Sequence, residues 1–248
     1  MTPNLFIIGA ARCGTTSIHS ILGQHPEIHA SRWKEPTFFI GTNHQIISNP
    51  IAYFNLFNSP KRYRMESSQA YLPSPETPSV LRALFPNARF IVSLREPKAR
   101  AYALYRHMRF IGMEDTASFQ HALEIEASRY SSREFDASSA WDVSTYLYIK
   151  STLYDDQLAH YFKFFDRKQF YITTLASISK DPERETKRIL DFLELDSAST
   201  SHFDYSVKHR HEHYDRWDSE SDRLLDAAFD GLMQRTEKLV GHSLDWSM

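Results

Sequence analysis

The sequence has little of what marks a disulfide-rich, membrane-spanning or nucleic-acid-binding protein. Its 248 residues include one cysteine, Cys13, which excludes an intramolecular disulfide and fits a reducing compartment. There is no run of about 18 apolar residues and no signal-peptide pattern before Leu5. The formal net charge of −2 argues against a general nucleic-acid-binding surface. We therefore expect a soluble, cytoplasmic protein that binds neither membranes nor nucleic acid and holds any anionic ligand with locally placed cations.

A glycine-bounded loop follows the first apolar run, Leu5–Ile8. Gly9 and Gly14 bound the loop, and the apolar residues that follow recur at helical spacing, which predicts a strand, a phosphate loop and a helix. Such a loop binds anions because backbone N–H groups converge at a helix N-terminus. The Walker pattern requires lysine after the second glycine, but Thr15 stands there, and Arg12 is the only strong cation in the loop. The loop therefore predicts a phosphate site that does not grip a magnesium nucleoside triphosphate in the usual way.

Strand and helix patterns alternate along the chain. Strands are predicted at Leu5–Ile8, Glu27–Ala30, Arg62–Ser67, Arg89–Arg95 and Gln169–Thr173. The later part is predicted to be mostly helical, with long helices at Thr145–Phe165 and Glu220–Val240. Since no repeat or linker-like segment interrupts the pattern, we expect residues 1–248 to form one domain. The fold class predicted is α/β, a P-loop-type three-layer fold with a central, about five-stranded parallel sheet flanked by helices.

Two further segments carry candidate functional side chains. Glu35 precedes Pro36, which disfavours a helical backbone at Glu35 and suggests that its carboxylate hangs from an extended segment or turn. Arg95 ends a strong strand pattern, and Pro97 then begins a helix. Because ligands of open α/β sheets bind at the carboxyl ends of strands, Arg95 is placed to hold an anion.

These three segments together resemble the sulfotransferases that use 3′-phosphoadenosine-5′-phosphosulfate (PAPS), especially the bacterial branch related to heparan sulfate sulfotransferases. The family's 5′-phosphosulfate loop, G-x-x-[KR]-x-G-T-T-S, is matched by Gly9, Arg12, Gly14, Thr15, Thr16 and Ser17. Its 3′-phosphate segment, a strand followed by R-[DN]-P and a helix, is matched by Arg95 and Pro97. The resemblance spans nearly the whole chain, and the three motifs occur in the family's order.

The resemblance implies a sulfuryl transfer from PAPS, without a metal, to a hydroxyl or amine of a small-molecule or sugar acceptor. It implies Glu35 as general base and Arg12 as the cation that stabilises the leaving phosphate. The positions implied for nucleotide binding are Arg12, Cys13, Gly14, Thr15, Thr16, Ser17, Arg95, Ala103 and, in a late polar loop, Lys208 and Arg210.

The chain departs from the family at two positions. The family usually places serine eight positions after the strand-end arginine, where this chain has Ala103, so the 3′-phosphate is expected to depend more on Arg95, Arg100 or the late loop. Ser67 stands where the heparan sulfate enzymes carry lysine, which weakens the case for a glycosaminoglycan acceptor. Lys34 is a candidate to supply the missing charge, and His107 is a reserve base.

Other interpretations of the sequence stay open. A P-loop kinase or other NTPase would need a loop lysine and an acidic Mg²⁺ ligand, and a catalytically inactive nucleotide-binding module would fit the two departures. Cys13 is interpreted as a small side chain that fills the turn, with a reactive low-pKa thiol as the alternative. Three alternating histidines, His209, His211 and His213, lack the further ligands of a recognisable zinc site. The acceptor and the oligomeric state are not predicted.

Overall fold

The central sheet of the computed structural model has five parallel strands. The structure describes residues 1–41, 45–132, 143–206 and 217–247. The strands are β1 (Leu5–Gly9), β2 (Ile28–Ala30), β3 (Tyr63–Ser67), β4 (Arg89–Leu94) and β5 (Phe170–Thr174), and they pair in the order β2-β3-β1-β4-β5. This arrangement confirms the predicted α/β fold with a parallel sheet of about five strands.

The two faces of the sheet are buried in different apolar clusters. Every residue of β1 is buried, as expected of a parallel strand covered on both faces. Phe6 and Ile8 join one cluster, whereas Leu5 and Ile7 join another on the opposite side, because successive side chains of a strand point to opposite faces. The sheet is therefore the middle layer of three.

Helices flank the sheet and connect its strands. They are α1 (Thr15–Leu22), α2 (Pro50–Asn55), α3 (Thr77–Leu84), α4 (Pro97–Phe110), α5 (Phe119–Glu124), α6 (Glu126–Ser131), α7 (Tyr154–Tyr161), α8 (Leu175–Lys180), α9 (Pro182–Phe192), α10 (Ser219–Ala228) and α11 (Leu232–Val240). Short 3₁₀ turns lie at Gln69–Tyr71, Val143–Tyr146, Lys150–Thr152, Arg167–Gln169 and Ala198–His202. Within the described ranges, we find no helix with the length and apolar character needed to cross a bilayer.

The two long helices predicted from the sequence are only partly formed: α7 lies within the first predicted range, and α10 and α11 cover most of the second. Between Val143 and Thr152 the chain forms two 3₁₀ turns instead, and Glu126 accepts the N–H groups of Ile149 and Lys150 there. Side-chain hydrogen bonds of this kind compete with the helical ladder. The C-terminal helix is divided at Gly231, whose φ of 65° is left-handed and ends the continuity between α10 and α11.

The topology places the functional loops at one point of the sheet. From β1 the chain passes to β2 on one side of the sheet, whereas from β4 it passes to β5 on the other side. The carboxyl ends of the neighbouring strands β1 and β4 therefore border the crevice where open α/β sheets bind ligands. The loop after β1 carries Arg12, and Arg95 follows β4 directly.

Candidate active site

The loop after β1 is tied to the neighbouring strand and to a buried arginine. The Ala10 N–H donates to the Ser93 carbonyl at 2.7 Å, and the Ser93 hydroxyl donates to the Cys13 carbonyl at 2.5 Å. Arg100 is 2% exposed, and its Nε donates to the Ala11 carbonyl at 3.2 Å. The loop is thus fixed at three successive points before the helix begins.

The N-terminus of α1 presents backbone donors to the crevice. Gly14 precedes the helix with a left-handed φ of 80°, and no side chain among the described residues caps this end. The first helical bond runs from the Ile18 N–H to the Gly14 carbonyl at 3.1 Å. The N–H groups of Thr15, Thr16 and Ser17 therefore have no acceptor within the helix, and together with the helix dipole they favour an anion.

Arg12 and Arg95 each bury a guanidinium nitrogen that has no hydrogen-bond partner in the described part of the chain. Among the residues that the structure describes, three buried side-chain nitrogen or oxygen atoms lack a partner, and two of these are Arg12 Nε and Arg95 Nη1. Unpaired buried donors on a charged group are costly, so the arrangement suits an anionic ligand that supplies the acceptors. The Arg95 backbone is fixed as well, since the Tyr154 hydroxyl donates to its carbonyl at 3.1 Å.

Cys13 lies behind these cations and is completely buried. Burial raises the pKa of its thiol to about 11, although the positive charges of Arg100, Arg95 and Arg12 act in the opposite direction. A thiol with this pKa remains protonated at neutral pH, which agrees with a side chain that fills the turn and not with a reactive thiolate. All three arginines therefore act electrostatically on this loop.

Glu35 and Thr37 adopt a backbone conformation that is unusual for residues other than glycine. Their φ angles are 61° and 49°, on either side of Pro36. Three hydrogen bonds hold this segment: the Glu35 N–H donates to the Ser67 carbonyl at 2.8 Å, the Thr37 N–H donates to Ser68 Oγ at 3.0 Å, and the Pro36 carbonyl accepts the Ile47 N–H at 3.0 Å. The segment is therefore fastened to the end of β3.

Both carboxylate oxygens of Glu35 have partners. Oε2 accepts the Gln69 N–H at 2.8 Å, and Oε1 forms an ion pair with Lys34 Nζ. The side chains of Lys34 and Glu35 are 21% and 19% exposed, so the pair is largely shielded from solvent. Both partners orient the carboxylate, which keeps a minor exposed fraction.

His19 is a residue of this site that the sequence did not single out. It lies on α1, and its Nδ1 forms a 2.7 Å hydrogen bond with Ser67 Oγ. Burial lowers its pKa to about 4, and the positive charge of Lys34 adds to this effect. His19 is therefore neutral at neutral pH and lies near Lys34. The only sequence signal for a role of His19 in the site is its position five residues after Gly14, on the helix that follows the loop.

A buried carboxyl group supports the Glu35 segment from behind. Glu66 is completely buried on β3, where it accepts hydrogen bonds from Ser68 Oγ at 2.6 Å and from the Tyr53 hydroxyl at 3.1 Å. Burial raises its pKa to about 7, against the opposing effect of these hydrogen bonds. Because Ser68 also holds the Thr37 N–H, Glu66 stabilises the turn that carries Glu35.

The remaining sequence-predicted residues lie outside this constellation. Ala103 is completely buried on α4 and has no polar side-chain atom, so it offers a phosphate no hydrogen bond. The guanidinium of Arg100 is engaged by the Ala11 carbonyl and by the hydroxyls of Ser151 and Thr152 at 2.5 and 2.8 Å, which gives it a role in supporting the loop. Five positions of the late loop lie outside the described residues: Lys208, His209, Arg210, His211 and His213.

Comparison with known proteins identifies relatives of the chain. The sulfotransferase domain family matches residues 2–219. A sulfotransferase structure from Alicyclobacillus acidocaldarius is 26% identical and superposes with a TM-score of 0.83 over 98% of each chain. The structure of a mouse sulfotransferase complexed with PAP, 15% identical over 91% of this chain and 63% of that one, has a TM-score of 0.51 and shows the shared fold alone.

Curated relatives include bifunctional heparan sulfate N-deacetylase/N-sulfotransferases. Human N-deacetylase/N-sulfotransferase 1 is 33% identical over 43% of this chain, and mouse N-deacetylase/N-sulfotransferase 4 is 27% identical over 82% of it. The chain spans only 13% and 23% of their lengths. These matches confirm the resemblance drawn from the three motifs, and with it the expected class of enzyme, a sulfotransferase. The chain belongs to the sulfotransferase family.

Proposed function

We propose that the protein transfers a sulfuryl group from PAPS to a hydroxyl or amine of a small-molecule or carbohydrate acceptor. The observation that carries the proposal is a pair of buried guanidinium nitrogens on Arg12 and Arg95 that have no partner among the described residues, at the adjoining ends of β1 and β4. A mouse relative in fold was solved with PAP, the bisphosphate product of PAPS, and several curated relatives are named as N-sulfotransferases. Both facts support this donor and this reaction.

The donor fits the two anion positions. The N–H groups of Thr15, Thr16 and Ser17, which have no acceptor within the helix, and the Arg12 guanidinium would hold the 5′-phosphosulfate. Arg95 would pair with the 3′-phosphate, and Lys208 and Arg210 are proposed to assist it from the late loop. Arginine suits both places because its planar guanidinium donates two parallel hydrogen bonds to a phosphate.

Transfer would proceed in line, without a covalent enzyme intermediate. The acceptor loses its O–H or N–H proton to Glu35, its oxygen or nitrogen forms the new bond to sulfur, and the bond between sulfur and the phosphate oxygen breaks. The negative charge that develops on the leaving phosphate is stabilised by Arg12 and the α1 N-terminus. Arg12 does not act as a proton donor, since a guanidinium keeps its protons in proteins. Most of the catalysis is therefore positioning and electrostatics.

The proposal is tested by incubating the protein with PAPS and a panel of hydroxyl and amine acceptors, with release of adenosine 3′,5′-bisphosphate (PAP) as readout. We expect turnover without magnesium and a loss of about 10²- to 10⁴-fold in kcat for Glu35→Gln, because a positioned general base typically contributes that much. PAP affinity should be retained in this variant. Glu27→Gln, an exposed glutamate before β2, is the matched control and should behave like the wild type.

Two results would contradict this function. If the protein neither turns over PAPS nor binds PAP, the sulfuryl-transfer proposal is wrong. Magnesium-dependent turnover of ATP that survives Arg95→Ala would instead support a kinase or NTPase. Unchanged kcat in Glu35→Gln would leave the donor site in place but remove Glu35 from the role of base.

A further inference from the structure

We infer that Lys34 acts in catalysis together with the general base: its ammonium orients the Glu35 carboxylate and moves to contact the sulfuryl oxygens when Glu35 takes the acceptor proton. The inference rests on the proposed function, because it concerns the step in which Glu35 removes that proton. It assigns a role to a side chain that contacts the proposed base directly.

The two oxygens of Glu35 are held by partners of very different mobility. Oε2 accepts the backbone N–H of Gln69, in a 3₁₀ turn whose next two residues, Ala70 and Tyr71, are buried. That donor cannot leave without a movement of the turn. Oε1 is held by Lys34 Nζ, which stands at the end of a flexible four-carbon chain. Oε1 is therefore the oxygen that an acceptor can reach. The acceptor would approach it from the position that the Lys34 ammonium now occupies.

The charge balance of the proton transfer favours a movement of the Lys34 ammonium from Glu35 to the sulfuryl oxygens. Before transfer, Lys34 and Glu35 form a neutral pair with each side chain about four-fifths shielded from solvent. When the acceptor proton moves to Oε1, Glu35 becomes a neutral acid and the ammonium loses its counter-charge. The sulfuryl group that moves toward the acceptor carries negative oxygens, which provide that counter-charge. No further reactant is needed, since the proton ends on Glu35 and the electron pair ends on the leaving phosphate.

The groups that face this pair come from three elements. Lys34 lies in the same segment as Glu35, His19 faces it from α1, and Glu66 acts on Glu35 from β3. His19 is neutral at neutral pH because burial and the Lys34 charge both lower its pKa. His19 therefore adds no positive charge to the pair, and its titration reports on the ammonium of Lys34.

The test compares Lys34→Met and Lys34→Arg with Arg32→Met, in which an exposed cation two residues earlier is removed. We expect Lys34→Met to lower kcat by about 10²-fold, the order lost when one electrostatic donor is removed from an active site. The acid limb of the kcat/KM profile should move to higher pH, because removing a cation from beside a carboxylate disfavours its charged form. Lys34→Arg should recover most of kcat, and Arg32→Met should leave the acid limb in place.

A second measurement is independent of turnover. In an NMR titration of the wild type, the pKa of His19 should lie near 4, and Lys34→Met should raise it while burial keeps it below the ordinary 6.5. If Lys34→Met keeps the wild-type kcat and pH profile, or leaves the His19 titration unchanged, the role of Lys34 is refuted. If the wild type shows no sulfuryl transfer, the proposed function fails separately. Lys34→Gln replaces Lys34→Met if the methionine variant does not fold.

Discussion

Backbone conformation singles out the residues of the two functional loops. In the part of the chain that the structure describes, four residues other than glycine have left-handed φ angles, and three of them are Arg12, Glu35 and Thr37. Such conformations cost about 1–3 kcal/mol each and persist only where the surroundings fix them. Here hydrogen bonds to β3 and β4 hold these conformations. The unfavourable backbone angles therefore occur at Arg12, which is proposed to bind phosphate, and at Glu35, the proposed base.

The ionisation of Glu66 should make stability depend on pH. Its pKa is raised to about 7 in the folded protein, whereas an unfolded glutamate titrates near 4.5. Between these values the unfolded chain has released a proton that the folded protein keeps, so the Glu66 contribution to stability falls as pH rises from about 4.5 to 7. His19 has the opposite sign, since its lowered pKa makes stability fall as pH drops from 6.5 to about 4.

We expect Glu66→Gln to remove the first of these effects. The free energy of unfolding of the variant, relative to wild type, should increase between pH 5 and pH 8 by on the order of 1–3 kcal/mol. Urea unfolding at the two pH values measures this difference, and taking the variant against wild type cancels the His19 contribution. An identical difference at both pH values would show that Glu66 does not titrate in this range. Glu27→Gln is the exposed control.

At the scale of elements, the site depends on the close approach of the end of β1 to the 3₁₀ turn after β3. A Cβ added at Gly9 would lie 2.8 Å from Leu72 Cβ and 3.3 Å from the Gln69 carbonyl oxygen. Leu72 cannot retreat freely, because its N–H donates to the Ile8 carbonyl at 2.9 Å. The same turn donates the Gln69 N–H to Glu35, so packing at Gly9 and orientation of the base are connected.

Gly9→Ala should therefore cost stability and turnover together. We expect a loss of about 1–3 kcal/mol, as for other overpacked core positions, together with a lower kcat. Gly41→Ala is the control, because a Cβ at Gly41 meets no atom of the described residues within 4 Å, and it should change stability by less than about 0.5 kcal/mol. Urea unfolding of the two variants decides the matter, and equal stability would contradict the packing argument.

At the scale of the whole molecule, the sequence predicted the parts of the structure that depend on residues close to one another along the chain. The strand β1 and its loop followed from an apolar run bounded by glycines, and α4 followed from Pro97 after a strand. Arg12, Glu35 and Arg95 could be chosen because each stands beside a strand end or a proline. The organisation of residues 1–248 as one domain stays a prediction, as do the assigned roles of the site residues.

The parts that the sequence did not predict depend on contacts between distant residues. The turns near Ile149 form because Glu126, 23 residues earlier, accepts its N–H. His19 acquires its role from Ser67, 48 residues later. Neither contact produces a periodic pattern in the sequence. Each depends on a single hydrogen-bonding side chain, and its partner comes close only when the chain folds.

The most direct test of the account is a calorimetric titration of PAP into the wild type, Arg12→Met and Arg95→Met, without magnesium. We expect the wild type to bind one PAP and each variant to bind about 10- to 100-fold more weakly, since a hydrogen bond to a charged group is worth about 1.5–3 kcal/mol. Arg32→Met should bind like the wild type. Failure of the wild type to bind PAP, or binding that neither arginine variant weakens, would contradict the claim that Arg12 and Arg95 bracket the nucleotide.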